Sequence, residues 1–160
     1  MNKIGTLDII KAYLGNKELS ANNAYVGEIP LIKGSEPVPV PVPNDEIWYT
    51  STDGNIVTPY SVDVLPTIVS NTYVDSKGII KFATDVTSIG QDAFGNCDTL
   101  KSVSFPYSLL TIDNNAFESC DNIDTIKFGP NITTIGDYAF NSCGSLTSVT
   151  IPNSVTSIGS

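Results

Sequence analysis

A 23-residue unit recurs three times between Thr87 and Val155, and its first letters return at Thr156. Apolar residues occupy the same columns in each copy, whereas Ser, Thr, Asn, Asp and Lys fill most positions between them. The apolar columns are Ile89/Ile112/Ile135, Ala93/Ala116/Ala139, Phe94/Phe117/Phe140, Cys97/Cys120/Cys143, Leu100/Ile123/Leu146, Val103/Ile126/Val149 and Phe105/Phe128/Ile151. One copy cannot bury its apolar side alone, so the copies must stack on one another. The repeat therefore predicts a solenoid.

Each copy contains a short stretch in which every second residue is apolar, such as Ser102-Val103-Ser104-Phe105. This period of two predicts one β-strand per 23-residue turn, stacked into a parallel sheet. The segment Asp92–Cys97 predicts a short helix or 3₁₀ turn with Phe94 pointing inward. Ile79–Phe82 is expected to supply a preceding strand. The predicted fold is mainly β with short helical turns, a repeat solenoid preceded by a small β module.

The third copy, Thr134 to Val155, resembles the BspA-like leucine-rich repeats, whose consensus is close to TSIGDYAFYGCSSLTSVTIPNSV. Asn44–Gly54 and Ile68–Asn71 are similar to the leader that precedes such repeats. The resemblance covers residues 44–160. It implies a surface or interaction module, often on adhesins of gut and oral anaerobes or on genes carried by their phages, and no catalytic activity.

The composition changes along the chain predict four segments: an attachment or oligomerisation module at 1–34, a proline-rich linker at 35–45, a hairpin leader at 46–86 that caps the solenoid, and the repeats at 87–160. Pro37, Pro39, Pro41 and Pro43 predict a polyproline II spacer about 30 Å long. In the leader, Ile47–Thr52 and Ile56–Thr58 flank a glycine turn and predict a β-hairpin. Trp48 is expected to cover the core of the first turn, with ligand stacking as the alternative.

The first 34 residues contain a duplicated Tyr-apolar-Gly segment, around Tyr13 and again around Tyr25. Short strands are expected there, with a helix from Leu7 to Leu14 as the alternative. So short a module needs a partner chain to complete a core. Its apolar residues are therefore predicted to contact another chain, in a homo-oligomer for which a trimer is favoured: Tyr13, Leu14, Tyr25, Val26, Ile29 and Leu31. The doublet also resembles phage virion attachment segments, which implies binding to other virion proteins.

The chain carries a formal charge of −9 and has neither arginine nor histidine. Residues 1–34 hold four lysines and three acids, whereas residues 35–160 hold four lysines and fourteen acids. This balance argues against nucleic-acid binding, which needs clustered basic residues. No apolar run is long enough for a signal peptide or a membrane span, so membrane insertion is not expected. The same observation favours a virion location over the alternative, the bacterial cell surface.

The sequence contains few residues that could form a catalytic or metal-binding site. Without histidine, Ser-His-Asp and Cys-His sites are excluded within one chain. Cys97, Cys120 and Cys143 share one repeat column and are interpreted as small core residues rather than metal ligands. Asp121 and Asp124 lack the spacing of a Ca²⁺ loop and are interpreted as a solvated face. No cofactor, metal or enzymatic activity is expected.

The outward positions of the repeat strands are the candidate ligand face, and they include Lys81, Ser102, Ser104, Thr125, Lys127, Ser148 and Thr150. This ladder of hydroxyls and lysines suits a host surface glycan or protein, although any solvated sheet shows the same pattern. The sequence therefore predicts a structural or interaction protein. The leading hypothesis is a phage head or tail fibre or decoration protein that displays its repeats for adhesion. The alternative is a fragment of a bacterial cell-surface BspA-like adhesin.

Overall fold

The computed structural model describes residues 41–61 and 65–160, and residues 42–160 form one compact unit. The described part is mainly β, and none of its residues is helical. Its strands are β1 (Glu46–Ser51), β2 (Ile68–Val74), β3 (Lys77–Phe82), β4 (Ser88–Ile89), β5 (Leu100–Ser104), β6 (Thr111–Ile112), β7 (Thr125–Lys127), β8 (Thr134–Ile135) and β9 (Ser157–Ile158). The predicted module at 1–34 and its six apolar contact residues lie outside the described residues, as does most of the proline-rich linker.

Equivalent strands of successive copies lie side by side with a 23-residue register. β4, β6, β8 and β9 form a four-stranded parallel sheet, in which Ile112 pairs with Ile89 and with Ile135. β5 pairs with β7 in the same way, and Val103 lies opposite Ile126. The first two copies therefore supply two strands each. The prediction of one strand per copy missed the β4 column, because a two-residue strand is too short to show a period of two.

β1 joins the leader to the repeats. It lies between β3 and β5 and is antiparallel to both, so that the larger sheet has the order β2-β3-β1-β5-β7. The predicted strand Ile79–Phe82 exists within β3, but β1 takes the place next to β5. This insertion extends the sheet of the repeats into the leader.

The predicted hairpin between Ile47–Thr52 and Ile56–Thr58 is wrong. Residues 56–58 form no strand, and Val57 is buried in the core. Side chains satisfy both backbone hydrogen-bonding groups of Val57. Its N–H donates to Tyr49 Oη at 3.2 Å, and its carbonyl accepts from Asn71 Nδ2 at 2.9 Å. The hairpin of the leader is instead made by β2 and β3, whose turn residues Asp75 and Ser76 have φ of 50° and 63°, as a tight primed turn requires.

The segment predicted as a short helix is a series of turns. Asp92 and Asn96 have φ of 56° and 57°, and the residues in the same two columns of the later copies are also left-handed: Asn115, Ser119, Tyr138 and Ser142. A left-handed residue interrupts a right-handed helix. Alternate N–H groups bond to the next copy instead, and Phe94 N–H donates to the Ala116 carbonyl at 2.8 Å. Hydrogen bonds between copies thus continue outside the two sheets.

One hydrophobic cluster fills the space between the two sheets and contains the inward residues of both. Phe117 is fully buried and stacks between Phe94 at 5.1 Å and Phe140 at 5.3 Å, measured between ring centroids. Cys97 and Cys120 are buried, which confirms their predicted core role, and Cys143 is half-buried. The Cys120 and Cys143 thiols each donate to a phenylalanine carbonyl of the preceding copy, and the bond from Cys120 Sγ to the Phe94 carbonyl is 3.0 Å long.

In each apolar column the residue of the third copy is the least buried. Val103 is 1% exposed and Ile126 is half-buried, whereas Val149 is 41% exposed. Residues 148–150 form no strand, so the larger sheet ends at β7 within the described residues. The outermost copy therefore presents part of its apolar side.

Candidate ligand face

The outer face of the five-stranded sheet collects the side chains that point away from the core. In β1 and β3 the buried residues alternate with half-buried ones, and β5 and β7 continue the same rows. The outer face comprises Glu46, Trp48, Thr50, Lys77, Ile79, Lys81, Ser102, Ser104, Thr125 and Lys127. Five of the seven residues predicted from the sequence therefore lie together. Ser148 and Thr150 are exposed but belong to no strand, so the structure does not add them to this sheet.

Trp48 stands at the centre of the outer face, between Ile79 of β3 and Ser104 of β5. The prediction that it covers the core is wrong, because Ile47 and Tyr49 on either side are buried and alternation turns Trp48 outward. Lys77 Nζ lies 3.0 Å from the centroid of the indole ring. An ammonium over an aromatic face is an attractive cation–π contact, so the ring fixes the position of Lys77.

Ion pairing occupies one corner of the outer face. Lys81 Nζ lies 2.8 Å from Asp45 Oδ2 and 3.5 Å from Glu46 Oε1. The hydrogen bond to Asp45, which is the larger cause, and the nearby Glu46 charge raise the pKa of Lys81. Glu46 also accepts a hydrogen bond from Trp48 Nε1 at 2.7 Å. Lys81 is therefore already neutralised by its neighbours.

The other lysines of the sheet form no comparable ion pairs with described acids. Among the described residues, no acid lies within ion-pair distance of Lys77, Lys101 or Lys127. Burial lowers the pKa of Lys77 from its ordinary value, and the nearby Glu46 charge opposes this effect. Lys127 is exposed on β7 opposite Ser104. Lys77 and Lys127, which have no acid partner within the described part of the chain, thus flank the centre of the outer face.

Charge is segregated in this molecule. All four lysines of residues 35–160 lie in β3, β5 and β7, whereas Glu46 is the only acid that falls within a strand of the described part. The remaining described acids lie in turns and loops. A strongly acidic chain therefore carries a locally basic sheet.

Buried contacts hold the sheet in shape beneath the outer face. Tyr49 Oη donates to Asn71 Oδ1 at 2.7 Å, and the Tyr49 ring lies 5.9 Å from the Tyr73 ring. Gly78 is required here, because a Cβ at this position would lie 2.1 Å from the Tyr49 ring. On the outer side, the Thr50 and Ser102 hydroxyls lie 2.6 Å apart and share a hydrogen bond.

The buried thiols have raised pKa values, and the described acidic side chains form no metal cluster. Burial, the largest cause, raises the pKa of Cys97 to about 11 and that of Cys120 to about 12, so both thiols stay protonated near neutral pH and are poor nucleophiles. Within 41–61 and 65–160, no three His, Cys, Asp or Glu side chains come close enough together to hold a metal ion. The same residues include no helix of the length and hydrophobicity needed to cross a membrane.

An open cleft of about 340 Å³ lies at the exposed end of the third copy. Ile135, Ala139, Phe140 and Ile158 contribute its apolar wall, and Tyr138 and Ser160 lie at its edge. The four wall residues belong to the apolar columns that bury each other between earlier copies. The cleft is therefore the open side of the repeat rather than a separate pocket.

The family model described as "BspA type Leucine rich repeat region" matches residues 67–160, in six copies. The crystal structure of a leucine-rich repeat protein from Bacteroides ovatus is similar, with 26% identity and a TM-score of 0.47. That similarity covers 74% of this chain and 31% of the Bacteroides protein, so the chain spans less than a third of its length. A comparison with curated proteins gave no match.

Proposed function

The chain belongs to the BspA-type leucine-rich repeat family, and from this premise we propose that it is a non-catalytic binding module for adhesion at a bacterial cell surface, with the outer face as its ligand site. The observation that carries the proposal is the placement of Trp48, Lys77 and Lys127 on one solvent-facing sheet. Such a surface offers an aromatic ring, cations and small hydroxyls together. None of these groups is part of the core.

Two features support a binding role over an enzymatic one. Cys97 and Cys120 are buried and stay protonated near neutral pH, and apart from Glu46 the described acids lie in turns and loops. A flat sheet with exposed polar side chains suits recognition of an extended surface, whereas catalysis requires convergent groups in a cleft. The parallel 23-residue register further supports the proposal that the copies wind as a solenoid, one copy per turn.

The proposal is tested on arrays of surface glycans and extracellular proteins. Ser104→Tyr places a bulky, strand-compatible side chain on the outer face, and Thr111→Tyr places the same side chain on the other sheet as a matched control. We expect Ser104→Tyr to abolish array binding and Thr111→Tyr to preserve it. Binding that survives both changes would show that the outer face is not the site, and a wild-type chain that binds nothing on either array would contradict the binding role.

A virion location is a second proposal, and it depends on residues 1–34, which lie outside the described residues. Its support is the duplicated Tyr-apolar-Gly segment, which provides apolar residues such as Tyr13 and Tyr25 for assembly into a homo-oligomer or with virion proteins. Light scattering on the full chain and on a chain beginning at Pro41 tests the assembly role. An oligomer that reverts to a monomer on truncation supports assembly, and equal masses contradict it.

A further inference from the structure

We propose that the outer face binds an anionic polysaccharide, one that carries carboxylate or sulfate groups, through Lys77 and Lys127 on either side of Trp48. This inference rests on the proposed function and adds the chemical class of the ligand. Its starting point is the charge segregation: the segment with fourteen acids places all four of its lysines in the strands of one sheet.

The geometry gives the lysines a defined spacing. Lys77 lies in β3 and Lys127 in β7, and β1 and β5 lie between them. Three strand-to-strand steps of about 4.8 Å, together with an offset of two residues along the strands, separate the two lysine backbones by about 16 Å. Trp48, Thr50, Ser102 and Ser104 line the path between them. An extended ligand that crosses the strands therefore meets a cation, an indole, hydroxyls and a second cation in turn.

The cation–π contact with Trp48 holds the Lys77 ammonium in position before an anion binds. The ring lies 3.0 Å from the ammonium on one side, and the ammonium has further N–H donors for a ligand oxygen. Fixing a long side chain before binding removes part of the entropy cost that an unrestrained lysine would incur. Lys81 is not expected to contribute equally, because Asp45 and Glu46 already neutralise it.

The net charge of −9 does not prevent this interaction. The described acids outside the strands lie in turns and loops, and the two sheets enclose a common core. On the outer face itself, Asp45 and Glu46 are already paired with Lys81. Among the described residues no acid lies within ion-pair distance of Lys77 or Lys127, so both ammonium groups remain available to an anionic ligand.

A polysaccharide fits better than an acidic peptide. Extended peptides bind sheets chiefly by adding a strand to a free edge, but β1 and β5 lie inside the sheet, with neighbours on both sides. The centre of the outer face consequently offers side chains only. Its Ser and Thr hydroxyls both donate and accept, which matches the hydroxyl groups of a sugar chain.

The test uses the full chain and four probes: dextran sulfate, polygalacturonate, neutral dextran and poly-L-glutamate. Trp48 is the single tryptophan of the chain, so its fluorescence reports events at the site directly. We expect both anionic polysaccharides to change this fluorescence with saturation, and neutral dextran and poly-L-glutamate to bind at least fivefold more weakly. Raising the salt concentration should weaken the anionic complexes.

Charge-neutral variants locate the site. Lys77→Gln and Lys127→Gln should each weaken binding about two- to fivefold, the range expected for exposed charge pairs. Lys101→Gln is the matched control, since Lys101 is exposed in the same sheet but lies at the register shift between β1 and β5. It should change affinity less than twofold. Trp48→Leu, measured by calorimetry, should weaken binding less in the Lys77→Gln background than in the wild-type chain, because the part of its effect that comes from positioning Lys77 is already lost.

Each contrary outcome has its own meaning. Equal binding of neutral dextran overturns the anionic inference and leaves the proposed binding role intact. Equal binding of poly-L-glutamate overturns the choice of a polysaccharide in favour of an acidic peptide. A Lys101→Gln effect as large as that of Lys77→Gln overturns the assigned site. The absence of binding to all four probes overturns the inference, whereas only a blank result on the glycan and protein arrays defeats the proposed function as well.

Discussion

Replacing Phe117 by alanine should be among the most destabilising single changes in the repeats. Its ring is fully buried, stacks on Phe94 and Phe140, and meets Phe105 edge-on at 5.7 Å. Truncating a buried phenylalanine costs about 3–5 kcal/mol, and each aromatic pair adds about 0.5–1.5 kcal/mol beyond buried area. Because Phe117 would lose three aromatic contacts, we expect a loss of unfolding free energy near the upper end of the range for a buried phenylalanine, about 4–5 kcal/mol. A domain with about 5–15 kcal/mol of stability would lose a large fraction of it.

Phe140→Ala is the matched control, because it removes the same side chain from the same column of the half-buried third copy. We expect it to cost about half as much, since Phe140 is only half-buried and has two aromatic neighbours rather than three, Phe117 at 5.3 Å and Phe128 at 6.0 Å. Urea unfolding followed by Trp48 fluorescence measures both variants, with circular dichroism as the second probe. With a denaturant slope near 2 kcal/mol/M, Phe117→Ala should lower the midpoint by about 2 M. If Phe140→Ala costs as much, the burial gradient along the column does not govern stability.

The remaining predictions concern Gly78 and the thiols. Gly78→Ala should destabilise the chain by at least about 1–3 kcal/mol, because the added Cβ would lie within 2.4 Å of three Tyr49 ring atoms. Gly144→Ala, which meets no atom within 4 Å, should change the melting temperature little, and equal effects would contradict the assigned clash. Burial holds the pKa of Cys120 at about 12, above its ordinary value of 9.0. The unfolded chain therefore loses this proton first, so stability should fall as the pH rises from 9 toward 12. Cys120→Ala should flatten that slope in urea titrations, and an unchanged slope would show that other groups cause the loss.

The repeat register was predictable because it is written directly in the sequence. Columns 23 residues apart place Ile89, Ile112 and Ile135 next to one another, and the structure pairs them in parallel. A residue that recurs at one interval has only one stacking solution that buries every copy. The strand at Ser102–Phe105 followed from alternation for the same reason. Stacking and strand direction are thus encoded by spacing alone.

The structure of the turn segments and of the leader was harder to predict from the sequence, because it depends on contacts with neighbouring parts of the chain. Asp92 and Asn96 are left-handed while their N–H groups bond to the next copy, and a single copy read alone shows only a helix-compatible spacing. Residues 56–58 look like a strand, but Tyr49 and Asn71 supply hydrogen bonds that replace strand pairing for Val57. In both places tertiary hydrogen bonds override the local pattern.

Only part of the candidate site could be predicted from the sequence, for a related reason. In Lys77-Gly78-Ile79-Ile80-Lys81, a period of two already places both lysines on one side, and that signal could have added Lys77 to the predicted face. Trp48 gave no such signal, because Ile47, Trp48 and Tyr49 are all large and apolar, so alternation alone does not show which one faces the core.

The sheet order resolves that ambiguity. Since Tyr49 lies opposite Gly78, and only glycine leaves room for its ring, the phenol must point inward and the indole outward. An inward tyrosine thus places the single tryptophan beside Lys77 on the outer face. The glycine that makes the core possible consequently also builds the candidate site. A variant that disturbs Gly78 should therefore alter Trp48 fluorescence as well as stability, a coupling that would be absent if the two faces of β1 were independent.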